Sequence, residues 1–141
     1  MKLFLACDHA AFEAKEALKA ALASHHVLTD LGTHSLDSVH YPEYAQALAK
    51  SVLANPGSRG ILLCGSGIGV SIAANRFKGI RAALCRDVDD AQMSRRHNDA
   101  NVLCLSGRKT SISDILKISL AFIETDFEGG RHQTRIDLID C

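Results

Sequence analysis

A chain of 141 residues, 47% of them apolar, has room for one domain with a buried core and hardly more. Its 16 basic and 16 acidic residues cancel, and no basic run or stripe stands out, which argues against a nucleic-acid or anionic-membrane partner. The opening stretch turns polar at Asp8-His9 after a few apolar residues, too soon for a signal peptide or a membrane span, so a cytoplasmic protein is expected.

Short apolar runs alternate with amphipathic stretches along the chain. Lys2 to Cys7 reads as a first strand, and Phe12 to Ser24 as a helix with Phe12, Ala17, Leu18, Ala21 and Leu22 at helical spacing. Val27 to Leu31 is a weaker second strand. Pro42 suits the first turn of a helix that runs to Leu53 and is stopped by Asn55-Pro56-Gly57. Gly60 to Cys64 is apolar without alternation, as in a strand covered on both faces. A glycine-rich loop follows, then a helix from Ile68 to Phe77, and Ile80 to Cys85 is the fourth strand. Asp87 can cap a helix reaching about Arg96. Val102 to Leu105 is the fifth strand, and Ser111 to Ile123 a helix with Ile112, Ile115, Leu116, Ile118 and Leu120 as its apolar face. Arg131 to Ile139 closes the chain.

Five alternations without a long insert predict a single α/β domain over residues 1–141. The expected architecture is a doubly wound α/β/α sandwich around a five-stranded parallel sheet, Rossmann-like, with 129–141 as a helical tail. Ligands bind such sheets outside the carboxyl ends of the strands. That edge should collect Cys7-Asp8-His9, Cys64-Gly65-Ser66 and Arg86-Asp87.

Gly65, Gly67 and Gly69 let the chain turn tightly with amides exposed, which suits an anion such as a phosphate or an enediolate oxygen. No Lys-Ser/Thr pair follows, so the loop is not a P-loop. It approaches a dinucleotide fingerprint, with Asp87 twenty residues beyond Gly67, but runs G-x-G-x-G. Cys64 stands beside a helix start, which favours a thiolate able to act as a general base; a buried strand-end thiol is the plainer alternative. The five cysteines form no Cys-x-x-Cys pair, so Cys85 and Cys104 read as core filler and Cys141 as an exposed last residue. Asp8 can cap the following helix. His97-Asn98-Asp99 fits an ordinary helix end. Arg131 and Arg135 share a helical face and could clamp one phosphate, though an exposed basic face would look the same. His25, His26, His34 and His40 have no ligand spacing and read as surface residues.

Seven stretches, taken in order, resemble the ribose-5-phosphate isomerase B family, which includes allose-6-phosphate and galactose-6-phosphate isomerases. They are Cys7-Asp8-His9-Ala10, Tyr41-Pro42, Cys64 to Gly69, Ala73-Ala74-Asn75-Arg76, Gly79-Ile80-Arg81-Ala82, Ser94 to Val102 and Glu128 to Arg135. The resemblance implies aldose–ketose isomerisation of a sugar phosphate through a cis-enediolate, with no metal and no other cofactor. It implies Cys64 as the base between C2 and C1, since Val70 or Ser71 stands where another branch carries a glutamate. It implies His97 for ring opening, Asp8 for hydroxyl protons, and Ser66 with the amides of Gly65, Gly67, Ile68 and Gly69 for the oxyanion. His9, Arg108, Arg131 and Arg135 would bind phosphate, and Tyr41 and Asn98 sugar hydroxyls.

The family is similar in forming homodimers, in some members paired into tetramers. His97 precedes strand five, so it should lie at the far end of the sheet from Cys64 and serve a neighbouring subunit's site, with the tail at the interface. Ribose 5-phosphate is the leading substrate and a six-carbon sugar phosphate the competitor. A non-catalytic nucleotide or sugar-phosphate binder is the alternative of a different class. Two departures stand out: Ala11 where a glycine is frequent, and Ser66 where a threonine is.

Overall fold

The structure, a computed structural model, describes all 141 residues. Five parallel strands form one sheet: β1 (Lys2–Cys7), β2 (Val27–Asp30), β3 (Arg59–Cys64), β4 (Ala82–Leu84) and β5 (Val102–Ser106), in the order β2-β1-β3-β5-β4. The helices are α1 (Phe12–Leu22), α2 (Tyr41–Ala54), α3 (Ile68–Ala74), α4 (Val88–Asn98), α5 (Ile112–Glu124) and α6 (Arg131–Ile139). The doubly wound α/β/α expectation holds.

Strand pleating divides the core in two. Leu3, Leu5, Ile61, Leu63, Leu103 and Leu105 meet α1, α4 and α5. Their strand neighbours Phe4, Ala6, Leu62, Cys64, Val102 and Cys104 meet α2 and α3. Both faces are covered, which is why the strand runs show no polar alternation.

Several boundaries differ from expectation for local reasons. The fourth strand shrinks to three residues because the Arg81 amide is taken by the Asn101 side chain, not by a strand neighbour. α3 stops at Ala74, and the Asn75 side chain bonds the main chain of Ala82. α1 ends at Leu22, short of Ser24. In α5 the buried face is Ile115, Ile118, Phe122 and Ile123, and Ile112 is exposed. Ala11 takes φ −117, so the missing glycine leaves no left-handed strain.

The buried face of α1 contains Lys15, fully shielded from solvent. Its ammonium binds Asp30 Oδ1 at 2.5 Å and the Thr33 carbonyl at 2.8 Å. Lys19 takes the other Asp30 oxygen at 2.9 Å, and the Gly32 amide donates to Oδ1. Burial alone would raise the Asp30 carboxyl, but the hydrogen bonds from both lysines and the amide overcome it and hold it at about 2. The network pins the chain leaving β2 at the carboxyl edge.

Because the folded carboxyl is depressed, its stabilising effect is complete above its ordinary value near 4 and is lost as pH falls towards 2. Asp30→Asn strands the Lys15 charge and should cost about 3 kcal/mol at pH 7. Urea unfolding of both proteins should show the gap narrowing between pH 4 and pH 2.

Candidate active site

The expected site residues form two groups at opposite ends of the sheet. The first lines a cleft of about 550 Å³ at the carboxyl edge: Asp8, Tyr41, Cys64, Gly65, Ser66, Ile68, Gly69 and Arg108, joined by Ile72 and Lys109. Asp8 is buried and accepts the Ala10 amide at 3.0 Å, capping a short 3-10 turn over His9–Ala11. His9 stands on that turn, next to Asp8 in the chain, and is not among the residues that line the cleft. Its Nδ1 accepts the Val39 amide at 3.1 Å, which puts the proton of the neutral ring on Nε2.

The glycine loop is shaped by two positions. Gly67 takes φ 76 as it enters α3, a conformation costly for any residue with a Cβ. At Gly69 a Cβ would lie 2.5 Å from the Tyr41 ring, so only glycine lets α2 and the loop come this close. The Gly67 amide donates to Cys64 Sγ at 3.2 Å, and the Ile68 amide donates to Ser66 Oγ at 3.2 Å. These two amides are therefore engaged within the loop. α3 has only seven residues, so the group that meets Cys64 Sγ is the direct Gly67 amide and not the end of a long helix. The Ser66 hydroxyl keeps its proton free to donate.

Arg108 was legible only through the family resemblance, and its placement has a local cause. Gly107 and Arg108 amides donate to the Cys64 and Gly65 carbonyls at 2.8 and 3.2 Å. The Ser106 hydroxyl donates to the Gly65 carbonyl at 2.6 Å and accepts the Lys109 amide at 3.0 Å. The turn after β5 is thus laid against the loop after β3. Arg86 and Asp87 reach the same edge but stand in a separate depression, and the Asp87 carboxylate caps α4 through the Asp90 amide at 2.7 Å. That removes it as a ribose-binding acid.

The second group is His97, Asn98, Arg131 and Arg135, on α4 and α6. Parallel pairing sets Cys64 level with Ser106 and Gly60 level with Val102. His97 precedes Val102, so the length of β5, roughly 13 Å, separates it from the thiol's level. The two groups do not meet within one chain. The His97 ring stacks on His132 with centroids 4.3 Å apart and planes at 13°. His132 is buried, with Nε2 3.6 Å from Glu128 and no hydrogen-bond partner. Burial and the neighbouring His97 and Arg131 disfavour its protonation. Arg131 and Arg135 are both exposed. The pairing of His132 with His97 is a contact between α6 and α4, so no spacing along the chain signals it.

His97, Glu128 and His132 hold ligand atoms within 4.8 Å of one another. Nearly parallel stacked rings aim their in-plane lone pairs side by side, not at one point, which makes a poor cage for a tetrahedral ion. Of the four histidines read as surface residues, His26 is half-buried, with Nδ1 unpartnered.

The thiols differ sharply. Burial pushes Cys7 up to about 11 and Cys85 to about 12, and holds Cys104 well above the ordinary range. Cys64 alone among the four strand or strand-end thiols lines the cleft.

A cleft of mixed polarity with a thiol and the cations Arg108 and Lys109, set outside the carboxyl ends of a doubly wound sheet, defines an α/β protein suited to a small anionic ligand. A family model described as ribose/galactose isomerase matches residues 3–139. The chain is 45% identical to a probable ribose-5-phosphate isomerase B of Mycoplasma pneumoniae, over 97% of this chain and 91% of the relative. It is 42% identical to the ribose-5-phosphate isomerase B of Escherichia coli K12, over 98% and 93%. The solved Thermotoga maritima ribose 5-phosphate isomerase superposes with a TM-score of 0.96 at 49% identity, over 99% and 97%. The Mycoplasma genitalium ribose-5-phosphate isomerase B, solved with ribulose-5-phosphate bound, gives 0.95 at 41% identity, over 98% and 93%. The chain belongs to the ribose/galactose isomerase family. No helix is long and apolar enough to cross a membrane.

Brief treatment with iodoacetamide near neutral pH should label the exposed Cys141 first, then Cys64, which is buried but lines the open cleft, and both well before Cys7, Cys85 and Cys104. Peptide mapping by mass spectrometry reads the order.

Proposed function

We propose that this protein interconverts ribose 5-phosphate and ribulose 5-phosphate through a cis-enediolate. The observation that carries the reading is the Cys64 thiol, held at the cleft by the Gly67 amide and facing the same space as Asp8 and Arg108. The bound ribulose-5-phosphate of the Mycoplasma genitalium relative supports the choice of substrate.

As a thiolate, Cys64 takes the C2 proton of the open-chain aldose and returns it to C1. The Ser66 hydroxyl and free loop amides stabilise the enediolate oxygens, and Asp8 moves the hydroxyl proton between O1 and O2. His9 and Arg108 hold the phosphate from the chain that supplies the thiol; Tyr41 contacts the sugar. His97, Asn98, Arg131 and Arg135 come from the partner of a homodimer, His97 opening the furanose ring and the arginines closing on the phosphate. Such a site needs a two-fold interface that sets one chain's carboxyl edge against the other's amino edge, with α6 beside it. The exposed Ile68 and Ile72 at the cleft rim support an interface there. Five unpaired thiols suit a reducing compartment such as the cytoplasm.

With ribose 5-phosphate and EDTA, wild-type protein should turn over, and Cys64→Ala should lose activity on the order of 10³-fold. Turnover of six-carbon phosphates alone would replace the substrate. His97→Ala should lose more kcat from ribose than from ribulose 5-phosphate, because the phosphorylated 5-oxygen of the ketose cannot close a ring. Mixing the two inactive variants and letting subunits exchange should restore roughly a quarter of wild-type activity. A mixture that stays dead would place both residues in one chain's site.

A further inference from the structure

The Gly79-Ile80-Arg81-Ala82 stretch takes no part in the chemistry above, yet its side chains and those of the stretch from Arg95 to Val102, which carries His97 and Asn98, converge on one turn. β4 is a three-residue edge strand, and two asparagines hold its start. Asn75 Nδ2 donates to the Ala82 carbonyl at 2.9 Å and Oδ1 accepts the Ala82 amide at 2.8 Å. Asn101 Oδ1 accepts the Arg81 amide and its Nδ2 donates to the Gly79 carbonyl, both at 2.8 Å. The Arg81 main chain is therefore fixed from both sides.

From that base the guanidinium, largely buried, reaches three places. Nε donates to the Asn98 carbonyl at 3.0 Å, Nη2 to the Asp99 carbonyl at 3.0 Å, and Nη1 to Asp140 Oδ2 at 2.5 Å. Asp99 sits in the left-handed region, φ 44, and Arg95 secures it through Oδ1 at 2.7 Å. One planar fork thus joins the turn after His97 to the residue that ends α6, the helix carrying Arg131 and Arg135.

We propose that Arg81 is a positioning residue, holding His97, Asn98 and the α6 arginines as one unit offered to the site. The inference rests on the proposed role of His97 in ring opening. Lysine cannot replace it, because a single ammonium on a flexible stem cannot serve the two carbonyls and the carboxylate in one plane.

The test compares Arg81→Lys with wild type in both reaction directions and follows assigned imidazole NMR signals. A misplacement near 1 Å costs about 10²-fold, so kcat from ribose 5-phosphate should fall by that much. The fall from ribulose 5-phosphate should be clearly smaller, and KM should rise in both directions. The His97 and His132 signals should move while those of His25 stay. Equal losses in both directions with unmoved His97 and His132 signals would overturn the proposal. If Arg81→Lys does not fold, Asp140→Ala removes one arm of the fork and decides by the same two readouts. If wild-type protein converts no pentose phosphate, the proposed function falls, and the imidazole signals still decide whether Arg81 holds the turn.

Discussion

The parallel register between β3 and β5 governs everything else in this molecule. It sets Cys64 beside Ser106, so the glycine loop after β3 and the Arg108 turn after β5 share one edge and hydrogen-bond to each other. The same register sends the end of α4 to the other edge. A chain with this sheet cannot bring His97 to its own thiol without unpairing a strand. Cooperation between two copies is therefore a requirement of the proposed chemistry and not an addition to it.

Much of the fold was legible because both faces of the sheet are covered. Unbroken apolar runs such as Gly60 to Cys64 declare such strands, and Asp87 and Pro42 mark helix starts by capping and by φ. What stayed hidden depends on side chains replacing main-chain partners. Asn75 and Asn101 shorten β4, which no propensity reveals. The insertion of β5 between β3 and β4 is likewise a matter of tertiary pairing, not of local pattern. Lys15 broke the apolar stripe of α1 because its charge is matched by Asp30, fifteen residues away.

The site was legible as an ordered set of motifs more than as single residues. Asp8 and Cys64 lie at strand ends, where position alone suggests a role. Arg108 depends on a turn whose hydrogen bonds cross between strands, and His132 on a stacking contact between helices, so neither is visible from spacing. The glycine loop showed its general character, but only the structure separates the amides engaged with Cys64 and Ser66 from those left free.

The placement of the thiols, Cys64 lining the cleft and Cys7, Cys85 and Cys104 enclosed in the core, bears on how this protein fails under oxidative stress. Cys7, Cys85 and Cys104 are shielded and held protonated, so peroxide finds little thiolate in the core. Damage is channelled to the cleft and to the last residue of the chain. On the proposed role of Cys64 as the base, its oxidation silences the molecule while leaving the scaffold intact, and reduction of a sulfenic acid or a mixed disulfide returns it to service without refolding.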